Sequence, residues 1–107
     1  MWGDDSILGV ISEIELLIAN INRYYLTFNS EYSKIDSIIQ LIKKTYNINN
    51  INRKLIKKSI DTIIKKIDTV IDKIQISVPN ANTHTYSDTL KKIETIVESI
   101  FPEDDDS

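Results

Sequence analysis

The chain has 107 residues, of which 41% are hydrophobic and 27% are charged, and its formal net charge is −3. This length fits one domain, because single domains typically run to about 100–200 residues. The sequence contains no cysteine, so disulfides, thiolate metal sites and thiol catalysis are excluded. We expect one helical domain over residues 1–101, followed by an acidic disordered tail at residues 102–107.

The N-terminal sequence argues against conventional export and against membrane insertion. Asp4 and Asp5 stand where a secretory signal would carry positive charge, and no small-residue cleavage site follows the apolar stretch. That stretch, residues 7–21, contains Glu13 and Glu15, so it lacks the roughly 18 uncharged residues of a transmembrane helix. We expect a soluble protein without a transmembrane segment, either cytoplasmic or secreted without a cleavable signal peptide.

Apolar residues recur every seven positions from Ile7 to Ile42, and a second apolar row follows four positions after each of them. A period of 3.5 residues over six heptads predicts an α-helix, in spite of the low helix propensity of the β-branched isoleucines. The pattern passes without a phase shift through Asn29 and Ser30, where a break would give four short helices. It therefore favours one continuous helix over residues 6–46.

Two shorter helices are predicted in the rest of the chain. Apolar spacings of four and three from Ile56 onward predict a helix over residues 52–77. Pro79 and the turn-forming residues after it end that helix. A further stripe of the same kind, beginning at Tyr86, predicts a helix over residues 87–101.

The lengths of these helices favour a long antiparallel hairpin. A helix of about 41 residues spans about 60 Å, and the two shorter helices have a similar combined length. The short connection at residues 47–52 makes the first two helices antiparallel neighbours. The sequence therefore predicts an all-α fold of three helices, either a hairpin whose second arm is broken at Pro79 or a compact three-helix bundle.

The first predicted helix carries more apolar surface than one antiparallel arm can cover, because Leu8, Leu16 and Ile18 accompany its main stripe. A small helical hairpin is only marginally stable, since folding must offset about 1–2 kcal/mol of backbone entropy per residue. Either the last helix covers the excess, or a helical protein partner or a second copy does so. The predicted partner contacts are Leu8, Ile11, Leu16, Ile18, Tyr25 and Tyr32.

Basic residues cluster around the predicted turn at residues 47–52, whereas the two ends of the chain are acidic. This basic tip consists of Lys43, Lys44, Arg53, Lys54, Lys57 and Lys58. Cations at the start of a helix oppose its dipole, which costs about 0.3–1 kcal/mol each. The tip could contact phosphates, an anionic membrane or an acidic partner, or be a solvated charged face. The negative net charge and the lack of interleaved aromatic residues argue against nucleic-acid binding.

No catalytic, cofactor-binding or metal site can be recognised in the sequence. Gly3 and Gly9 are the only glycines, so neither a phosphate-binding loop nor a dinucleotide fingerprint can form. His84 is the only histidine, and no glutamate stands three residues before it, which removes the Glu-x-x-His pair of helical di-iron sites. We therefore expect a non-enzymatic protein that needs no cofactor.

Phe101 and Asp105 form an aromatic-x-x-x-acid element close to the C-terminus of this short, cysteine-free helical chain. In these features the chain resembles the WXG-like substrates of bacterial type VII secretion, and more particularly the small α-helical partners of LXG toxins. The resemblance implies that Phe101 and Asp105 belong to an export signal. Trp2 and Gly3 depart from the family pattern, because no residue separates them and they do not lie at the turn.

The resemblance implies a targeting factor that pairs with the helical N-terminal domain of a secreted toxin. We therefore predict a non-catalytic protein–protein interaction module, an adaptor or targeting partner for a secreted effector. Two other functions also fit the sequence: an immunity-type inhibitor that binds a toxin, and a self-associating structural or viral coiled-coil protein. Export separates the first function from the second, and the oligomeric state of the lone chain tests the third.

Overall fold

The computed structural model describes residues 2–46 and 53–101, which fold into four α-helices and one short 3₁₀ helix without any strand. The α-helices are α1 (Trp2–Tyr24), α2 (Asn29–Tyr46), α3 (Arg53–Ser77) and α4 (His84–Ile100), and the 3₁₀ helix is Leu26–Phe28. The predicted all-α class is confirmed. Within the described ranges, no helix is both long and apolar enough to span a bilayer. The predicted tail at residues 102–107 lies outside the described residues.

The helices form a four-helix bundle with a closed ring of contacts. α1 packs most extensively against α4, and α2 against α3, while α1–α2 and α3–α4 contacts complete the ring. The short connections at residues 25–28 and 78–83 make the helices they join antiparallel. α2 and α3 are also antiparallel, because the beginning of α2 contacts the end of α3 through Glu31 and Lys73. The bundle measures 44 × 25 × 22 Å.

The core consists mostly of isoleucine at the heptad positions read from the sequence. Its most deeply buried isoleucines include Ile7, Ile14 and Ile21 of α1, Ile35 and Ile39 of α2, and Ile60, Ile63 and Ile67 of α3. α4 completes this core with Leu90, Ile93 and Val97. Full burial of one such side chain contributes about 1.5–3 kcal/mol. Four helices therefore share one core, in which the α1 half of the long apolar stripe packs mainly against α4 and the α2 half mainly against α3.

The predicted continuous helix over residues 6–46 is wrong, because the chain leaves the helical conformation at Tyr25, where φ is −131° and ψ is 69°. It then reverses direction through the 3₁₀ helix and starts α2 at Asn29. The tyrosine, threonine and asparagine residues of this segment have low helix propensity. The reversal replaces the predicted hairpin and the three-helix bundle by a four-helix bundle, in which each half of the stripe packs against neighbouring helices.

The second predicted helix agrees with α3, although residue 52 lies outside the described residues. The third begins earlier than predicted, at His84, so residues 84–86 belong to α4 and not to the preceding loop. Thr83, directly before this helix, is buried, and its hydroxyl accepts a hydrogen bond from Gln75 Nε2 at 2.6 Å. This contact ties the α3–α4 connection to the end of α3 and places the start of α4.

Candidate partner-binding surface

Four of the six predicted partner-contact residues take part in the bundle's own packing. Ile11 and Tyr32 are buried in the core, and Ile18 and Tyr25 pack against it. Ile11 and Tyr32 are therefore closed to a partner in this fold, and Ile18 and Tyr25 are only partly exposed. Leu8 and Leu16 differ, because they are 39% and 62% exposed. They are the most exposed of the predicted partner contacts.

Three partly or fully buried tyrosines, Tyr25, Tyr32 and Tyr86, lie together at the reversal between α1 and α2. The rings of Tyr25 and Tyr86 pack edge to face with their centroids 6.4 Å apart. Tyr32 Oη donates a hydrogen bond to the Tyr25 carbonyl at 2.7 Å. Burial raises the pKa of Tyr32 to about 12, and the nearby Tyr86, Glu31 and Tyr25 add to this rise. The cluster holds the reversal between α1 and α2 in place.

The predicted basic tip is only partly free of ion pairs. Lys43 Nζ lies 2.8 Å from Glu15 Oε2, and Lys57 Nζ lies 2.9 Å from Asp61 Oδ2. The exposed lysines of the tip are Lys44, Lys54 and Lys58. The side chain of Arg53 lies outside the described residues. A phosphate, membrane or acidic partner at this tip remains a prediction.

The predicted export residues occupy different environments. Phe101 is buried, with 7% of its surface exposed, and its backbone N–H donates to the Val97 carbonyl at 2.9 Å. Asp105 lies outside the described residues. The aromatic side chain of the predicted signal therefore packs inside the bundle, where an export receptor could not contact it without local opening of the end of α4.

A second basic surface, which the sequence pattern did not single out as a unit, lies in a groove between α2 and α3. We call it the α2–α3 groove. Its wider part has a volume of about 380 Å³ and is lined by Lys34, Lys65, Lys66 and Lys73, together with Thr62, Thr69 and Glu31. Four lysines thus face one glutamate on a chain whose net charge is negative.

One of these lysines is neutralised within the groove. Lys73 Nζ lies 2.9 Å from Glu31 Oε2, and its hydrogen bond lowers the pKa of the Glu31 carboxyl. Within the described ranges, Lys34, Lys65 and Lys66 form no ion pair. Three ammonium groups therefore remain available in the groove to an anionic partner.

The hydroxyl groups of the groove are already engaged by their own helix. Thr62 Oγ1 donates to the Lys58 carbonyl and Thr69 Oγ1 donates to the Lys65 carbonyl, each at 3.0 Å. Their protons are used by these bonds, so the threonines offer methyl groups and oxygen lone pairs to a ligand. Ammonium groups are therefore the hydrogen-bond donors of the groove.

Towards the other end of α2, a second pocket between the same two helices is apolar. Leu41 and Leu55 are 56% and 49% exposed and line a small pocket of about 50 Å³ between the two helices. Ile42 and Ile56 form its inner wall, and both are buried. The α2–α3 groove thus comprises two separate pockets between the same two helices, one lined by lysines and the other by the exposed leucines.

No protein-family model matches the chain, and none of the curated proteins or solved structures shows significant similarity to it. Within the described ranges, histidine, aspartate and glutamate residues form no group of three or more that could hold a metal ion. The candidate site is therefore described by its geometry and its charge.

Proposed function

We propose that the chain is a non-catalytic helical module for protein–protein interaction, and that it acts as an adaptor or targeting partner for a secreted effector. The observation that carries the proposal is the pair of exposed leucines, Leu41 and Leu55, on a bundle that already closes its own core. Isolated surface leucines are ordinary in soluble proteins. Two that share one interhelical pocket offer a partner an apolar anchor site.

Affinity purification of the full chain from its native host tests this function. We expect a helical protein to co-purify in stoichiometric amount and to be lost from the double variant Leu41→Ser/Leu55→Ser. Ile76→Ser is the matched control, because Ile76 is 80% exposed near the other end of α3. The proposal would be rejected if no helical protein co-purified with the unmodified chain.

The export part of the proposal is tested by truncation. Because Phe101 belongs to the core, the shortened chain must keep it and end there, which removes residues 102–107 only. We expect this chain to unfold at the same temperature as the full chain but to stay inside the cell. Normal export of the truncated chain would show that the segment carries no signal.

The burial of Phe101 favours one alternative function, an immunity-type inhibitor that binds a toxin and remains in the producing cell. An export receptor would have to contact Phe101, which is packed in the core, whereas an inhibitor that stays in the cell needs no exposed export signal. This alternative predicts that the full chain is retained in the cell and protects it against the co-purifying toxin. Secretion of the full chain together with its partner would argue for the adaptor.

A further inference from the structure

We infer that the α2–α3 groove binds an acidic amphipathic helix of a partner protein. Carboxylates along that helix would face Lys34, Lys65 and Lys66, and one apolar side chain would fill the pocket between Leu41 and Leu55. The inference rests on the proposed protein-binding function and specifies the chemistry of the partner. The lysines of the groove determine the negative charge of this partner helix, and the two leucines determine the position of its apolar side chain.

The residues that line the groove repeat along α3 with the period of a helix-packing surface. Leu55, Thr62 and Thr69 form one row at seven-residue spacing, and Ser59, Lys66 and Lys73 form a second. Rows of this spacing run along the helix axis and receive the side chains of an adjacent helix. From Leu55 to Lys73 the groove is about 27 Å long, which suits a helix of about 18 residues.

The charge of the groove points to carboxylates on this helix. Lys34 approaches from α2, and Lys65 and Lys66 from α3, so ammonium groups stand on both sides. Carboxylates at heptad or i, i+4 spacing would meet them along one face. An uncharged helix would leave these lysines close together and uncompensated, and a basic helix would be repelled.

A phosphate backbone fits the same groove less well. The described residues that line the wider part include neither arginine, which binds phosphates in bidentate fashion, nor an aromatic side chain, which stacks on bases. Thr62 and Thr69 have no free hydroxyl proton to donate to phosphate oxygens. The exposed leucines at its other end match a protein side chain, so an acidic helix satisfies both sections of the groove.

Titration of the ¹⁵N-labelled full chain with a synthetic peptide tests the inference. The probe is an 18-residue helical peptide with glutamates along one face and a leucine near one end, and its partner peptide carries glutamine in place of each glutamate. We expect amide shifts along α2 and α3 around Lys34 and Lys66 with the acidic peptide alone. Binding should weaken several-fold between low and physiological salt, as expected for attraction between exposed charges.

Charge-reversed variants locate the site. Lys34→Glu/Lys66→Glu should weaken the acidic peptide by about tenfold or more, since each change replaces an attraction by a repulsion. Lys91→Glu/Lys92→Glu is the matched control, because both lysines are exposed on α4, outside the groove. This control should bind the peptide as the unmodified chain does. Lys34→Gln/Lys66→Gln should have an intermediate effect, and thermal unfolding verifies that each variant is folded.

Three outcomes would each overturn the inference. The glutamine peptide could bind as tightly as the acidic peptide, the amide shifts could lie outside α2 and α3, or the acidic peptide could fail to bind at millimolar concentration. Tighter binding in this groove of single-stranded DNA or of phosphatidylserine vesicles would overturn it in favour of a general polyanion surface. Recovery of the same amount of a helical partner with Lys34→Glu/Lys66→Glu as with the unmodified chain would reject the acidic helix and leave the protein-binding function in place. Absence of any partner from the unmodified chain rejects the function itself.

Discussion

The Tyr32 hydroxyl donates a hydrogen bond to the Tyr25 carbonyl. Because the chain reverses between α1 and α2, this carbonyl has no backbone N–H donor of the kind that a continuous helix would supply. In a continuous helix the Tyr25 carbonyl would accept from the Asn29 N–H, which here donates to the Leu26 carbonyl. Tyr32 Oη takes that place at 2.7 Å. One phenol group therefore replaces the missing backbone bond and closes the turn from the α2 side.

Replacing Tyr32 by phenylalanine should lower the free energy of unfolding by about 1 kcal/mol at neutral pH, because it removes this hydrogen bond. The effect should depend on pH, since the folded-state pKa of Tyr32 is raised to about 12, above its unfolded value of about 10. The stabilisation by the phenol is full below about pH 10 and is lost as the pH rises through about 12. Urea unfolding of the unmodified chain and of Tyr32→Phe between pH 8 and 12 measures this difference in the free energy of unfolding.

The matched control for this variant is Tyr24→Phe, because Tyr24 is 67% exposed and adjoins the same turn. Lysine deprotonation lowers stability in the same alkaline range, but it affects all three proteins alike. The difference between the unmodified chain and Tyr32→Phe should therefore shrink towards pH 12, while that for Tyr24→Phe stays close to zero. A difference for Tyr32→Phe that is constant with pH would contradict the assigned role.

Phe101→Ala should lower the free energy of unfolding by about 3 kcal/mol, because it leaves a cavity where a buried aromatic ring stood. Ile96→Ala, on the same helix but 43% exposed, should cost less than half as much. Urea denaturation followed by circular dichroism compares the two variants. Equal stability of Phe101→Ala and the unmodified chain would show that the ring is free to serve as a displayed signal.

At the scale of the helices, the reversal between α1 and α2 brings residues together that a continuous helix would hold far apart. Lys43 and Glu15 belong to different helices and their charged atoms are 2.8 Å apart. Along one straight helix these two residues would be separated by about 42 Å. A distance between labels on α1 and α2 therefore distinguishes a bundle from a hairpin with one long arm.

Spin labels at Ser12→Cys and Lys44→Cys should give this distance cleanly, because both positions are exposed and the chain has no cysteine of its own. A continuous helix would place them about 48 Å apart, and the bundle should place them at less than half that distance. Labels at Lys54→Cys and Asp72→Cys are the control, since both lie on α3, about 27 Å apart in either fold. A distance near 48 Å would refute the reversal.

Helix positions could be predicted from the sequence where side-chain chemistry marks their ends. Pro79 and the polar residues after it predicted the end of α3, and the heptad rows predicted which isoleucines form the core. The reversal could not be predicted in this way, because no glycine or proline marks it and Ile21 and Phe28 remain seven residues apart. A turn that preserves the heptad phase leaves no trace in periodicity.

The candidate site could be predicted less well than the fold. Lys65 and Lys66 stand out as neighbouring charges, but their proximity to Lys34 depends on how α2 and α3 align side by side. Leu41 and Leu55 likewise meet only after the two helices pack. Tertiary contact between residues that are distant in sequence therefore defines the groove, and hydrophobic periodicity carries no information about it.

At the scale of the whole molecule, the bundle is compact enough to distinguish it from an elongated form in solution. The Cα radius of gyration is 14.4 Å, whereas a rod about 60 Å long has a radius of gyration of at least about 17 Å. Small-angle X-ray scattering should give a value close to that of the bundle, and light scattering should give a monomer, since the core is closed. A stable, defined oligomer would instead favour the self-associating coiled-coil protein.

The reversal at residues 25–28 also has a consequence for two copies of the chain. Because the apolar stripe keeps its phase there, a straightened chain can place its α1 in a second bundle and restore the isoleucine contacts of α1 with α4, which is the condition for domain swapping. Refolding at high concentration should therefore trap a swapped dimer that returns to monomer on dilution and warming. Leu26→Pro, which cannot join a continuous helix, should suppress the dimer in size-exclusion chromatography.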